Sequence, residues 1–276
     1  MARRRKKGST RNVILGVMLI GVFVGVLGFI GFLYYAGKSA TKLDEAMCPV
    51  DGPVGVRVFL VDTTDPVSPT TLADARNRLE AAINKAAVGE RLEIYALSEE
   101  MGKLTEMFAG CKPDDGTQAS KWTSNPRLMK HDWEEFFAKP LAEVTGNLDR
   151  GIAGNQSPIM AAIQNIKLRV FDRFKDQDIP KKLIVLSDMI EHTPHYSQYR
   201  SGSDYDAFKQ SAGYHEFRTD LTDIGVEVWF IDRGIPRFRN SAHLEFWANW
   251  VHGNRGEWQK AVQLEGVNPG GSGESR

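Results

Sequence analysis

The stretch VRVFLVDTTDPVSP, residues 56–69, decides the fold. An apolar, β-branched run stops at Asp62, and a second carboxylate, Asp65, two hydroxyls and a proline follow within four residues. A run that is hydrophobic at nearly every position, not at alternate ones, suits a central strand buried on both faces. VGVRVFLV (54–61) is therefore expected to be such a strand, with acids at its carboxyl end. Strand-like and helix-like segments then alternate along the chain. In SPTTLADARNRLEAAINKAAVG (68–89), Ser68 can cap a helix and Pro69 suits its first position. Leu72, Ala75, Leu79, Ala82, Ile83 and Ala86 line one face of it, and Gly89 is a natural stop. RLEIYAL (91–97) reads as a strand and LTEMFAG (104–110) as a short antiparallel edge strand. LMKHDWEEFFAKPLAEV (128–144) reads as a helix kinked or ended near Pro140. SPIMAAIQNIKLRVFDRF (157–174) is a strongly amphipathic helix, KKLIVLSDM (181–189) an apolar strand, and residues 204–225 a further helix and stop. VEVWFIDR (226–233) is a strand, and SAHLEFWANWVHG (241–253) a closing helix with Leu244, Phe246, Trp247 and Trp250 toward the core. Crossovers of a dozen residues or more imply an α/β fold: a doubly wound, mostly parallel sheet with one short antiparallel edge strand, over residues 54–265.

Ahead of this domain, residues 1–12 are basic, and residues 13–36 contain no charge. That apolar stretch of 24 residues exceeds the ~20 needed to span the hydrocarbon core. It is also too long for the ~7–15-residue core of a cleavable signal, and YAGKSA puts a lysine where a small residue is wanted. The expectation is a retained transmembrane helix, with Tyr34 and Tyr35 as interfacial aromatics. The excess of Arg and Lys before it places the N-terminus inside and the main domain outside the cytoplasmic (inner) membrane, in a periplasmic or extracytoplasmic position. Residues 37–53 form a linker and 266–276 a disordered tail. Gly21, Gly25 and Gly28 lie on one helix face, a small-residue pattern that lets two anchors self-associate. The chain has 35 basic and 35 acidic residues, and the first 36 positions hold six basic and no acidic ones. The remainder is acidic by six, which speaks against nucleic acid as a partner.

Cys48 and Cys111 are the two cysteines, both beyond the apolar helix. An even count in an oxidising compartment suggests a bridge, and the topology puts both at the lower rim of the sheet; two unrelated buried thiols are the alternative.

In a sheet of this kind ligands meet the carboxyl ends of the strands. Asp62 and Asp188 end two of them, Ser157 opens a helix at the same rim, and Thr64 and Asp65 sit in the loop above. Carboxylates and hydroxyls together suit a hard divalent cation. On these segments (DTTDP, NQSPIMAAI and LIVLSDM) the chain resembles the von Willebrand factor type A domains, over roughly residues 54–252. The resemblance implies a metal-ion-dependent adhesion site built from Asp62, Thr64, Ser157 and Asp188, holding Mg²⁺ or Mn²⁺, to which a partner protein adds a carboxylate. The family's third loop position is here Pro66, which has no side-chain ligand; Asp65 or Ser68 stands near enough in sequence to compensate.

Beyond Asp188, the segment SDMIEHTPHYSQYRSGSDY carries Glu191, His192, His195 and Tyr196, residues expected to meet a partner, and its acid and two imidazoles also suit zinc. No Gly-x-Ser-x-Gly elbow, phosphate loop or dinucleotide glycine fingerprint occurs, and position 64 holds Thr where an Asp-x-Asp phosphotransferase needs an acid. Asp232-Arg233 is either catalytic or an ion pair. The expected function is a membrane-anchored protein-interaction module and not an enzyme. The alternatives are a Mg²⁺-dependent hydrolase or a structural subunit of an envelope complex with a vestigial ion site.

Overall fold

The computed structural model describes residues 9–38, 42–119, 124–148, 154–238 and 240–266. The basic residues 1–8, linker residues 39–41, the side chain of Tyr35 and the tail from 267 onward lie outside the described part. Helix α1 (Ser9–Lys38) contains the apolar span Asn12–Phe32, none of it buried, and it is the one helix among the described residues long and apolar enough to cross a membrane.

The domain that follows has strands β1 (Gly55–Val61), β2 (Glu90–Leu97), β3 (Leu104–Cys111), β4 (Lys181–Ser187), β5 (Ile224–Phe230) and β6 (Glu257–Gln263). Their order across the sheet is β3-β2-β1-β4-β5-β6, parallel throughout except for the antiparallel β2–β3 pair. The chain leaves β1 toward β2 on one side, then returns to place β4 on the other. The β1/β4 boundary is thus where the winding reverses.

The central strands are buried on both faces, as their continuous apolar runs require. Val58, Leu60, Leu183, Val185, Val226 and Val228 pack beneath α5 (Ile159–Arg169) and α9 (Asn240–Gly253). The alternate residues Phe59, Val61, Ile184, Leu186 and Trp229 pack on the opposite face, with Ala75, Leu79 and Ile83 of α2 (Pro69–Asn84) and with Leu141 and Val144. Each such side chain withdrawn from water contributes about 1.5–3 kcal/mol. Ser68 caps α2 as its position suggests, accepting the Thr71 amide at 3.2 Å. The helix ends at Asn84, five residues ahead of Gly89, and the ammonium of Lys112 donates to the carbonyls of Asn84 and Ala86 at 2.7 and 3.0 Å just past its last turn. Gly89, at φ +82°, instead makes the turn into β2.

Three segments depart from expectation. The helical path around Pro140 is α3 (Pro126–Trp133), a π-turn over Glu134–Ala138 and α4 (Lys139–Gly146). Proline cannot donate to the turn before it, and the wider register there absorbs the missing bond without ending the path. Residues expected to form one helix over 204–225 form the short helices α7 (Tyr205–Lys209) and α8 (Ala212–Glu216), after α6 (Gln198–Ser201). The Ser211 hydroxyl donates to the Phe208 carbonyl at 2.7 Å, competing with the next helical amide. Strand β6 was not expected from the sequence at all; its residues are mostly exposed or half-buried, so no apolar run announces it.

Cys48 and Cys111 are joined in a disulfide. Cys111 pairs with Arg91, itself level with Val56, so the bridge pins the linker at the amino end of the parallel strands. The Cys111 amide also donates to Ala46 at 2.9 Å.

Candidate functional site

At the opposite end, the carboxyl termini of β1 and β4 are level, with Val61 facing Leu186 and the Asp62 amide donating to the Leu186 carbonyl at 2.8 Å. Four of the expected residues converge there. Asp62 Oδ1 accepts from the Thr64 amide at 3.0 Å and the Thr64 hydroxyl at 2.7 Å. Its Oδ2 accepts from Ser157 Oγ at 3.2 Å. Ser157 is brought in from 95 residues away because its backbone pairs with His192 in both directions, at 2.9 and 3.0 Å. Asp188 stands beside them, close enough for the Asp62 charge to act on it. Asp65, half-buried in the same loop, has its carboxyl raised by burial; the Arg233 charge lowers it and the Asp62 charge raises it.

Two residues that sequence patterns did not assign to the site are part of it. Ser187 donates to Asp62 Oδ2 at 2.7 Å and accepts the Met189 amide at 2.8 Å, holding Met189 at φ +60°. Arg233, beyond β5, gives its Nε–H to Asp188 Oδ2 at 2.8 Å and an Nη1–H to the Pro66 carbonyl at 2.6 Å. Both side chains of this ion pair are buried, 5% and 6% exposed. Burial raises the Asp188 carboxyl to about 6, with Asp62 adding to the rise and Arg233 opposing it. A serine closing an otherwise apolar strand and an arginine just past the next one were the signals available.

The segment after Asp188 is only partly surface. Glu191 is fully buried and caps the amino end of α5, its Oε2 accepting the Met160 amide at 2.9 Å. Tyr196 is also buried, stacked among Phe208 and Phe246. Neither side chain is placed to meet a partner. Of the four residues expected to do so, His192 is half-buried and His195 exposed. His192 Nδ1 lies 2.8 Å from Ser197 Oγ, and its ring abuts Tyr199, while the His195 ring lies edge-on to Phe217. The imidazoles are thus engaged separately. Among the described residues no three His, Cys, Asp or Glu side chains gather where one ion could sit, which removes the zinc arrangement. Tyr199 is half-buried, and its hydroxyl is raised to about 12 by burial and by Asp188 and Asp65.

No protein-family model matches the chain, and no curated protein matches it. Solved structures that align with it include an aerotolerance-related membrane protein from Bacteroides fragilis, at 13% identity over 76% of this chain and 92% of that one, TM-score 0.37. A von Willebrand factor type A protein from Catenulispora acidiphila aligns at 12% identity over 78% and 39%, TM-score 0.41. Proximal thread matrix protein 1 from the mussel byssus, whose metal-ion-dependent adhesion motif holds zinc, aligns at 13% identity over 78% and 42%, TM-score 0.41. The fold of the chain itself is a six-stranded, mostly parallel sheet with one antiparallel pair and helices on its faces. It follows one apolar N-terminal helix.

Proposed function

We propose that this chain is a docking module held at the cytoplasmic membrane by α1, with the rim above β1 and β4 presented to a protein partner outside the cell's inner membrane. One observation supports it most: Asp62, Thr64, Ser157 and Asp188, drawn from three remote segments, meet where the winding of the sheet reverses. Open α/β sheets receive ligands at that position. The geometry of the linker agrees, since Cys48 and Cys111 fix it at the other end of the strands. Seven residues of β1 separate the two ends, about 23 Å at the usual rise per residue. A bilayer at the linker therefore leaves the rim facing away from it. The partner-facing surface consists of the exposed Pro66 and Asn155 beside the cup, not of Glu191 or Tyr196.

Photo-crosslinking amino acids at Pro66 and Asn155, compared with Val88 and Asp51 at the linker end, test this in cells. Adducts to one discrete protein from the rim positions alone, lost when Asp62→Ala is added, are the expected result. Equal adducts from both ends, or adducts from the linker end only, would refute a docking rim.

A further inference from the structure

We propose that the cation of this rim is built into the chain, as the guanidinium of Arg233, and that the site works without a divalent metal ion. The type A resemblance implies Mg²⁺ or Mn²⁺ at the cup, and the donor set does not fit one. Mg²⁺ requires a near-octahedral shell of oxygens. The third loop position is Pro66, which turns its carbonyl to Arg233 Nη1 at 2.6 Å and has no side-chain oxygen to offer an ion. Both oxygens of Asp188 are engaged, Oδ2 by Arg233 Nε at 2.8 Å and Oδ1 by the Ile190 amide at 2.9 Å. An ion drawn to Asp188 Oδ2 competes there with the guanidinium, and displacing Arg233 leaves a buried charge unpaired, which is strongly unfavourable.

Asp62 is already supplied with donors by the chain itself. Its two oxygens receive the Thr64 amide and the hydroxyls of Thr64, Ser157 and Ser187, which accounts for the four acceptor sites of a carboxylate. Among the described residues, Asp62, Asp65 and Asp188 do not gather as a three-carboxylate ion site. A guanidinium is suited to the substitution: it is always charged, and its planar fork serves a carboxylate and a carbonyl at once. Here it fastens the loop after β1 and the end of β4 to the segment after β5. Metal independence follows from these contacts whether or not the rim docks a protein.

The test uses the full chain in detergent, stripped with chelator and then titrated with Mg²⁺, Mn²⁺ or Zn²⁺ while its melting temperature is followed. Bound metal is counted by elemental mass spectrometry. The wild type is expected to hold no stoichiometric ion and to show no shift. Arg233→Gln, which vacates the guanidinium and leaves the carboxylates, is expected to melt lower and to recover several degrees with Mn²⁺, because an ion that binds only the folded state stabilises it. Arg233→Lys, which keeps the charge, should stay unresponsive. A wild type that carries one ion, or whose melting rises with an ion and loses that response in Asp188→Asn, overturns the proposal. So does a folded Arg233→Gln variant as indifferent to ions as the wild type. If that variant does not fold, the wild-type metal count decides alone.

Discussion

Ser187 gives its hydroxyl to Asp62 and takes the amide of Met189, a non-glycine residue in the left-handed region directly after Asp188. One oxygen thus supports both the first acid of the rim and the backbone turn that aims the second. Ser187→Ala leaves that amide and one carboxylate lone pair unsatisfied, and is expected to cost about 1–3 kcal/mol, seen as a lower denaturant midpoint at unchanged slope. Glu191 tests the burial argument by pH. Removal from water raises its carboxyl from the model-compound value of 4.5 to about 8. The folded state is then the better proton binder, so the stability this group contributes is present below its unfolded value and lost as pH rises through about 8. Glu191→Gln lacks that loss. Its gain in melting temperature over wild type should be smallest near pH 4, grow to about pH 8 and level off; a gain that shrinks as pH rises would contradict the assignment. At this scale Asp62 and Asp188 were legible because each follows an apolar strand, Ser157 because it precedes an amphipathic helix, and Thr64 because it lies two residues after Asp62 in the loop, all local signals. Ser187 was not, because its role depends on a partner 125 residues away; Arg233 was expected as catalytic or in an ion pair, but its partner Asp188, 45 residues away, was not.

Among the elements, those that carry their own signals were legible and those defined by a neighbour were not. β1, β4 and β5 are largely apolar runs, and α2 has its cap and its proline in place. β6 is a strand because β5 offers it a ladder, and its exposed outer face leaves only Trp258, Ala261 and Val262 partly buried. The 204–225 region has helical periodicity, but its chain is broken at Ser211 by a side chain bonding back to the main chain. The β3 edge is fixed covalently, and the disulfide closes a loop of 63 residues in sequence separation. Replacing both cysteines by serine is expected to cost about 2–4 kcal/mol, measured by chemical unfolding of the full chain. Crosslinking from the rim should persist in that variant under mild conditions, since the bridge is at the other end of the sheet; loss of rim contacts along with stability would show that the two ends are coupled.

For the whole molecule, the uneven charge is informative: six basic residues precede the apolar helix, and the rest of the chain is net acidic. Under the proposed orientation, protease added to spheroplasts should degrade the domain while an epitope fused ahead of Met1 survives. Protection of the domain with exposure of the epitope would invert the topology. The apolar N-terminal helix and the sheet class were readable together because length and hydrophobic period are properties of whole segments. The cation that pairs with Asp188 was not, since it depends on where one arginine comes to rest. The bridge at Cys48 has a further consequence, for reach. Ten residues run from the end of α1 at Lys38 to Cys48, a leash of at most about 35 Å. Were the bridge opened and the linker peeled away, the first fixed point would be β1 at Gly55, 17 residues out, or roughly 60 Å at full stretch. Under the proposed orientation, the shorter leash keeps the rim nearer the lipid than the longer one would.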